Sequence, residues 1–213
     1  IEKPVVRTVE EVEKLRGNHN LPLIFVGEVE QYNTELAKFL NYNGNARLIE
    51  MSREVNLDFF LRGTRPWFLD EKLSGGITLD TMIHDINLLI TKYGKPKVKS
   101  AIGKSSGKYG CIDEVEVTLD FNGLKAKLYC SWTAAREDTP ITAKIKIHEA
   151  KRLIKVGCDN YIIRDKPSDK DAFHNEIVAF LKSIKDKKTP YPLSIYLDGI
   201  EVANKIRNVL KIN

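Results

Sequence analysis

Cysteine is scarce in this chain. Its 213 residues hold three, Cys111, Cys130 and Cys158, odd in number and far apart. That argues against a disulfide framework or a zinc knuckle, and it points to a reducing, cytoplasmic setting. Apolar runs of membrane-spanning length are missing, and Ile1-Glu2-Lys3-Pro4 does not open a signal-peptide pattern, so no membrane partner is expected. A dominant sign of charge is missing too. The net charge of +5 comes from 34 basic and 29 acidic residues mixed along the chain. Nucleic-acid binders concentrate basic charge and interleave aromatics, so no nucleic-acid partner is expected and most lysines read as solvated faces. Internal repeats and low-complexity segments are absent, and Gly-x-Gly-x-x-Gly occurs nowhere.

What remains is ordinary globular composition, 42% hydrophobic and 30% charged, in a length enough for one large domain or one and a half small ones. Thr8 with Glu11 makes a capping box ahead of a short helix to Leu15. Leu21 to Val26 reads as a buried strand ended by Gly27. Asn33 is placed to cap a helix to about Leu40. Ala46 to Val55 is a strand, and Asn56 to Ser74 a long loop or irregular helix carrying Arg62, Arg65, Pro66, Trp67 and Phe68. Loops of this length inside a domain are often functional. Arg65 suits an anionic group. Trp67 is available to stack on a ligand, and equally to anchor its own loop.

The centre of the chain is Gly75-Gly76-Ile77-Thr78-Leu79-Asp80-Thr81-Met82-Ile83-His84-Asp85-Ile86-Asn87. Two glycines end a polar loop, and Ile77, Leu79, Met82, Ile83, Ile86, Leu89 and Ile90 then form a helical apolar set. Asp80 and His84 are four apart, one turn over the other and about 6 Å along a helix axis. Asn87 and Thr91 extend the polar stripe. Such a pair is commonly a local hydrogen bond or a surface histidine. Its functional reading is a tuned imidazole on the wall of a cleft. No third ligand is placed to make Asp80, His84 and Asp85 a metal site.

After Pro96 the period changes from helix to strand. Lys97 to Lys104 is one strand. Val115, Val117, Leu119 and Phe121 alternate with polar residues up to Asn122-Gly123, and Leu124, Ala126, Leu128, Cys130 and Trp132 alternate beyond it. This is a hairpin with a two-residue turn, in the register Asp120 opposite Lys125 and Val117 opposite Leu128. Ile141 to Ile147 and Leu153 to Val156 add strands. Helices from Asp171 to Lys185 and from Ser194, read as a cap, are available for the dry face. The expected fold is α+β: a mainly antiparallel open sheet with helices on one face. The other face of so long a sheet is expected to pack against a second copy, as a homodimer or tetramer.

Glu2-Lys3-Pro4, Val26-Gly27-Glu28-Val29 with Tyr32-Asn33, the Gly75-to-Ile86 run and Phe173…Glu176…Phe180 together resemble the Gfo/Idh/MocA family, the glucose–fructose oxidoreductase and inositol dehydrogenase relatives. The resemblance covers essentially the whole chain in order. It implies an NAD(P)-dependent oxidoreductase acting on a sugar, polyol or related alcohol. It implies a dihydrodipicolinate-reductase-like C-terminal domain over 31–213, binding substrate and oligomerising. Residues 1–30 would then be the remnant of a Rossmann domain. Lys3, Asp80 and His84 are its implied catalytic and substrate residues, with Arg65 a further substrate contact. Glu2, Lys3, Pro4 and Trp67 are the implied cofactor contacts. An imidazole near neutrality suits a carbinol proton, and a lysine ammonium stabilises alkoxide charge.

The missing Gly-x-Gly-x-x-Gly departs from that family. Gly75-Gly76 follows no strand and cannot cradle a pyrophosphate. The expectation is therefore a truncated chain whose main NAD or NADP site lies in a missing N-terminal domain. An alternative stays open: a non-catalytic, sugar-sensing oligomer of the same fold. A basic binding module on Lys125, Lys127, Lys144 and Lys146 is a third reading, opposed by Glu114 and Glu116.

Overall fold

The computed structural model describes residues 1–61, 66–159 and 172–212. Arg62, Arg65, Asp171 and the side chain of Cys158, singled out above, lie outside the described residues.

Helix α1 (Val9–Arg16) starts at the capping box read in the sequence. The Glu11 amide donates to Thr8 Oγ1 at 3.2 Å, and the Thr8 amide to Glu11 Oε2 at 3.0 Å. The buried strand expected at Leu21–Val26 does not form. That segment makes a single parallel bridge, Gly27 with Glu2, and Leu23 is 53% exposed. A strand needs a ladder partner for its amides and carbonyls, and the backbone pairing here is confined to Ile1 and Glu2. A 3₁₀ turn, Val29–Tyr32, follows, and Asn33 Oδ1 then accepts from the Glu35 and Leu36 amides ahead of the short α2 (Ala37–Leu40).

Strand β1 (Leu48–Val55) leads into α3 (Leu57–Leu61), a 3₁₀ turn at Pro66–Phe68 and α4 (Glu71–Ser74), so the described part of the stretch read as a long loop or irregular helix is in part helical. The central helix opens with a π turn, Thr78–Met82, before α5 (Ile83–Tyr93) continues to Gly94, whose φ of 78° stops it. Its predicted apolar set is buried throughout. Then come β2 (Lys97–Lys104), β3 (Glu114–Phe121), β4 (Leu124–Ser131), β5 (Ile141–His148), β6 (Leu153–Asp159), α6 (Ala172–Asp186), α7 (Leu193–Val209) and β7 (Lys211–Ile212).

The strands form one seven-stranded sheet in the order β6-β5-β1-β4-β3-β2-β7. β1 runs parallel to β4 and β7 parallel to β2; every other pairing is antiparallel. The β3–β4 hairpin has the register read in the sequence, Asp120 with Lys125 and Val117 with Leu128. Asn122 and Gly123 take φ of 54° and 103°, as a type I′ turn demands. Val115, Val117 and Leu119 meet Ala126, Leu128 and Cys130 on the dry face, which α5 and α7 cover.

Two expectations about helices fail. α6 does not cover the sheet. It packs on the Val29–Tyr32 turn and on Phe25, whose ring lies 5.4 Å from Phe180, and it leaves Ile177, Leu181 and Ile184 more than half exposed. α5 takes the sheet position instead and is buried on nearly every side, Asp85 and Asn87 included. Ser194 does not cap α7: the cap position is Pro192, with no side-chain hydrogen bond, and Ser194 sits inside the first turn. Cys111 and Cys130 are free thiols.

Candidate active site

A cavity of about 180 Å³ lies at the C-terminal end of β1, and Lys3, Asp80 and His84 all line it. Three separate stretches bring them together. Lys3, in a cis peptide with Pro4, reaches across from the N-terminal segment. Asp80 sits in the π turn, and His84 in the first turn of α5. Lys3 Nζ donates to the Asp80 carbonyl oxygen and lies 3.7 Å from Asp80 Oδ1. The Asp80 carboxylate also accepts from Thr81 Oγ1 at 2.9 Å, and that hydroxyl accepts from Trp132 Nε1 at 2.7 Å.

The predicted stacking of Asp80 over His84 is replaced by a different pairing. A π turn closes i→i+5 rather than i→i+4, so it shifts Asp80 off the line of His84 and turns it towards Lys3. The imidazole's partner is Glu28, whose Oε1 takes the His84 Nδ1 contact. Glu28 is fully buried, and its Oε2 accepts from Asn87 Nδ2 at 2.7 Å. Burial by itself would raise this carboxyl. The imidazole, the Asn87 amide and the Lys3 ammonium outweigh that and hold it at about 2. An ionised carboxylate only accepts, so Nδ1 carries the proton and Nε2 is the nitrogen left to act on a ligand.

A second layer of buried charge supports the first. Arg53 interrupts the apolar face of β1 and is 2% exposed. Its guanidinium spans the helix–sheet interface, with Nη1 2.5 Å from Glu30 Oε1 and Nη2 2.7 Å from Asp85 Oδ1. Burial raises the Asp85 carboxyl, and Arg53 opposes that rise. Gln31, next in the same 3₁₀ turn, donates to Thr91 Oγ1 at 2.8 Å and accepts from the Tyr196 hydroxyl at 2.6 Å. The polar stripe of α5 thus ends in the turn that carries Glu28 and Glu30.

The remaining residues singled out fall at different distances from this cavity. Glu2 lies beside Gly27 with Glu176: a Cβ at Gly27 would stand 3.4 Å from both carboxylates. Burial, with Glu2 and Glu28 nearby, pushes the Glu176 carboxyl up to about 7. Trp67 is 47% exposed and stacks on Phe68, centroids 4.2 Å apart, and it is Phe68 that lines the cavity. Gly75 takes φ of 79° where a Cβ would strike Leu79, so it makes room for packing rather than for a phosphate. Among the described residues no three His, Cys, Asp or Glu side chains are grouped to hold a metal ion, and no helix is long and apolar enough to cross a membrane.

Sequence reading missed Glu28, Glu30 and Arg53. One signal was available for Arg53: a charge standing where Ile49, Met51 and Val55 mark the buried side of an alternating strand.

The fold and site define an open-sheet α+β domain, backed by helices on one face, with a lysine, a carboxylate and a carboxylate-held imidazole converging at the end of a central strand. The profile of the GFO/IDH/MocA C-terminal domain matches residues 44–151, and the chain belongs to that family. In sequence alone, no curated protein matches it. Among solved structures it is similar to a probable dehydrogenase from Thermotoga maritima (TM-score 0.74, 19% identity, 98% of this chain and 70% of that one). It is also similar to a myo-inositol dehydrogenase from Corynebacterium glutamicum (0.78, 17%, 98% and 69%). A third is the scyllo-inositol dehydrogenase from Lactobacillus casei, with bound NAD(H) and scyllo-inositol (0.72, 17%, 98% and 69%). At these identities the likeness is one of fold.

Proposed function

We propose that this chain carries the acid–base half of an NAD(P)-dependent oxidoreductase acting on a secondary alcohol of a sugar, polyol or related compound. The observation that carries the reading is the convergence of Lys3, Asp80 and His84 on one cavity, with His84 Nδ1 held by a buried, ionised Glu28. A nicotinamide dinucleotide supplies the hydride acceptor when bound. In this reading Glu2, Lys3 and Pro4 are the nicotinamide-side contacts; of the three, Lys3 lines the cavity. Nothing in the sequence matches a Gly-x-Gly-x-x-Gly cradle, so the pyrophosphate half falls to residues outside these 213. In this division residues 1–30 belong with the cofactor unit and 31–213 form the substrate unit.

The protein's own steps follow from the geometry. His84 Nε2 accepts the hydroxyl proton, which raises electron density on the carbinol oxygen and eases departure of the hydride. The resulting imidazolium is stabilised by Glu28. The Lys3 ammonium, held by Asp80, stabilises the developing alkoxide. Removing a general base costs a factor of ~10²–10⁴ in rate. In a chain joined to a dinucleotide-binding unit, His84→Ala should therefore lower kcat by that order while leaving NAD(P)H affinity near normal, in steady-state kinetics paired with fluorescence binding. A variant that keeps most of its kcat would reduce His84 to a structural helix residue and favour the sensing alternative.

The open face of the sheet is the proposed contact with a second copy. It forms a trough of about 470 Å³, with Lys144 and Lys146 towards one edge, Glu116 towards the other, and Lys127 and Glu50 between. A two-fold axis through its centre brings the basic rows over the acidic ones. Light scattering at micromolar concentration should find a dimer or tetramer; a monomer throughout would remove this partner.

A further inference from the structure

The walls of the catalytic cavity differ in chemistry. Lys3, Asp80 and His84 line one part of it, and Arg53 lines it as well, its guanidinium already bound to Glu30 and Asp85. The Thr81 hydroxyl beside them is already committed, donating to Asp80 and accepting from Trp132. The opposite wall is built from Val55, Leu57, Phe60, Phe68 and Ile141, none of which bears a side-chain donor or acceptor. Three backbone amides on or next to it are also committed. The Asn56 amide donates to the Pro140 carbonyl at 2.8 Å, the Leu57 amide to the Trp132 carbonyl at 3.0 Å and the Phe59 amide to the Asn56 carbonyl at 3.2 Å. Val55 and Ile141 are paired with each other across the β1–β5 ladder.

We propose that this cavity selects a deoxygenated sugar: a ring that presents its reacting hydroxyl to Lys3 and His84 and a methyl or deoxy edge to the Val55–Leu57–Phe60–Phe68–Ile141 wall. This deepens the oxidoreductase reading and rests on it for the identity of the reacting end. The physical basis is asymmetric. A methyl group on the apolar wall is favourable contact, whereas a hydroxyl there loses its water and finds no partner among the wall's described side chains. A fully hydroxylated ring pays that cost in any orientation that sets a hydroxyl on this wall. The apolar wall also has a place for the less polar face of the ring, against the half-buried Phe60 and Phe68.

The test reads binding rather than turnover. Ligand-observed NMR titrations on the full chain would compare matched pairs: D-fucose with D-galactose, L-rhamnose with L-mannose, and 6-deoxy-D-glucose with D-glucose. The 6-deoxy member of at least one pair should bind roughly ten-fold tighter than its parent. Val55→Thr, nearly isosteric, puts a hydroxyl on the wall and should draw the ratio towards one. Phe60→Tyr does the same from a half-buried position should the buried substitution fail to fold. Parents that bind as well as their deoxy forms in every pair, or binding by no member of the panel, would overturn the inference. A deoxy preference without hydride transfer to NAD(P), when the chain is joined to a dinucleotide-binding unit, would leave it standing and remove the oxidoreductase reading.

Discussion

The two faces of the sheet carry charge in opposite ways. On the open face Lys144, Lys146, Glu116 and Lys127 stand on alternating positions in or near water. Their pairings, such as His148 with Glu50 at 2.7 Å, join side chains that are 36% exposed. On the dry face Arg53, Glu30 and Asp85 are at most 3% exposed and hold one another across the helix–sheet boundary. The same residue types therefore do different work. In water an ion pair is nearly interchangeable with its surroundings. Under α5 each charge has its partner fixed, because leaving it unpaired costs far more than the pair gains. The histidine proposed to act, His84, is likewise tied to a buried carboxylate, Glu28.

The comparison breaks most visibly by removing one charge from each face. Arg53→Met leaves Glu30 and Asp85 as facing buried carboxylates and should cost about 3–5 kcal/mol in chemical denaturation. Lys144→Ala on the open face should stay within about 0.5 kcal/mol. Similar values for the two would mean that the dry-face cluster is hydrated or rearranges freely.

Acid titration sharpens the contrast within the buried region, where two carboxyls shift in opposite directions. Glu28 is held at about 2, below its ordinary 4.5, so its stabilisation is present above 4.5 and is lost as pH falls towards 2. Glu176 is pushed up to about 7. Its contribution is complete below 4.5 and is lost as pH rises through 7. Stability measured against pH should therefore decline on both flanks. Glu176→Gln should flatten the neutral flank and leave the acid one. An unchanged neutral flank would show that Glu176 is better solvated than its position beside Glu2 and Gly27 indicates.

These contrasts also explain what could be read from the sequence. Period-two alternation and Asn122-Gly123 specify the β3–β4 register, because every contact involved lies within a few residues of the turn. The capping box at Thr8 and the apolar set of the central helix are local for the same reason. The partner of His84 was not legible: Glu28 is 56 residues away, and Asp80, four residues away, looked like the natural candidate. What removed Asp80 was a π turn, one inserted residue's worth of winding that leaves no mark in the apolar pattern. Helix α6 illustrates a different limit. Phe173, Ile177, Phe180, Leu181 and Ile184 have the spacing of a covering helix, yet that spacing does not say which surface they meet.

The central claim is that Glu28 fixes the proton of His84 on Nδ1 and leaves Nε2 free to accept one. Nitrogen-15 NMR of the selectively labelled imidazole at pH 9 reads this directly. The account predicts a protonated Nδ1 and a bare Nε2 in the native protein, and a mixture of the two tautomers in Glu28→Leu. A native His84 that carries its proton on Nε2, unaffected by the loss of Glu28, would contradict it.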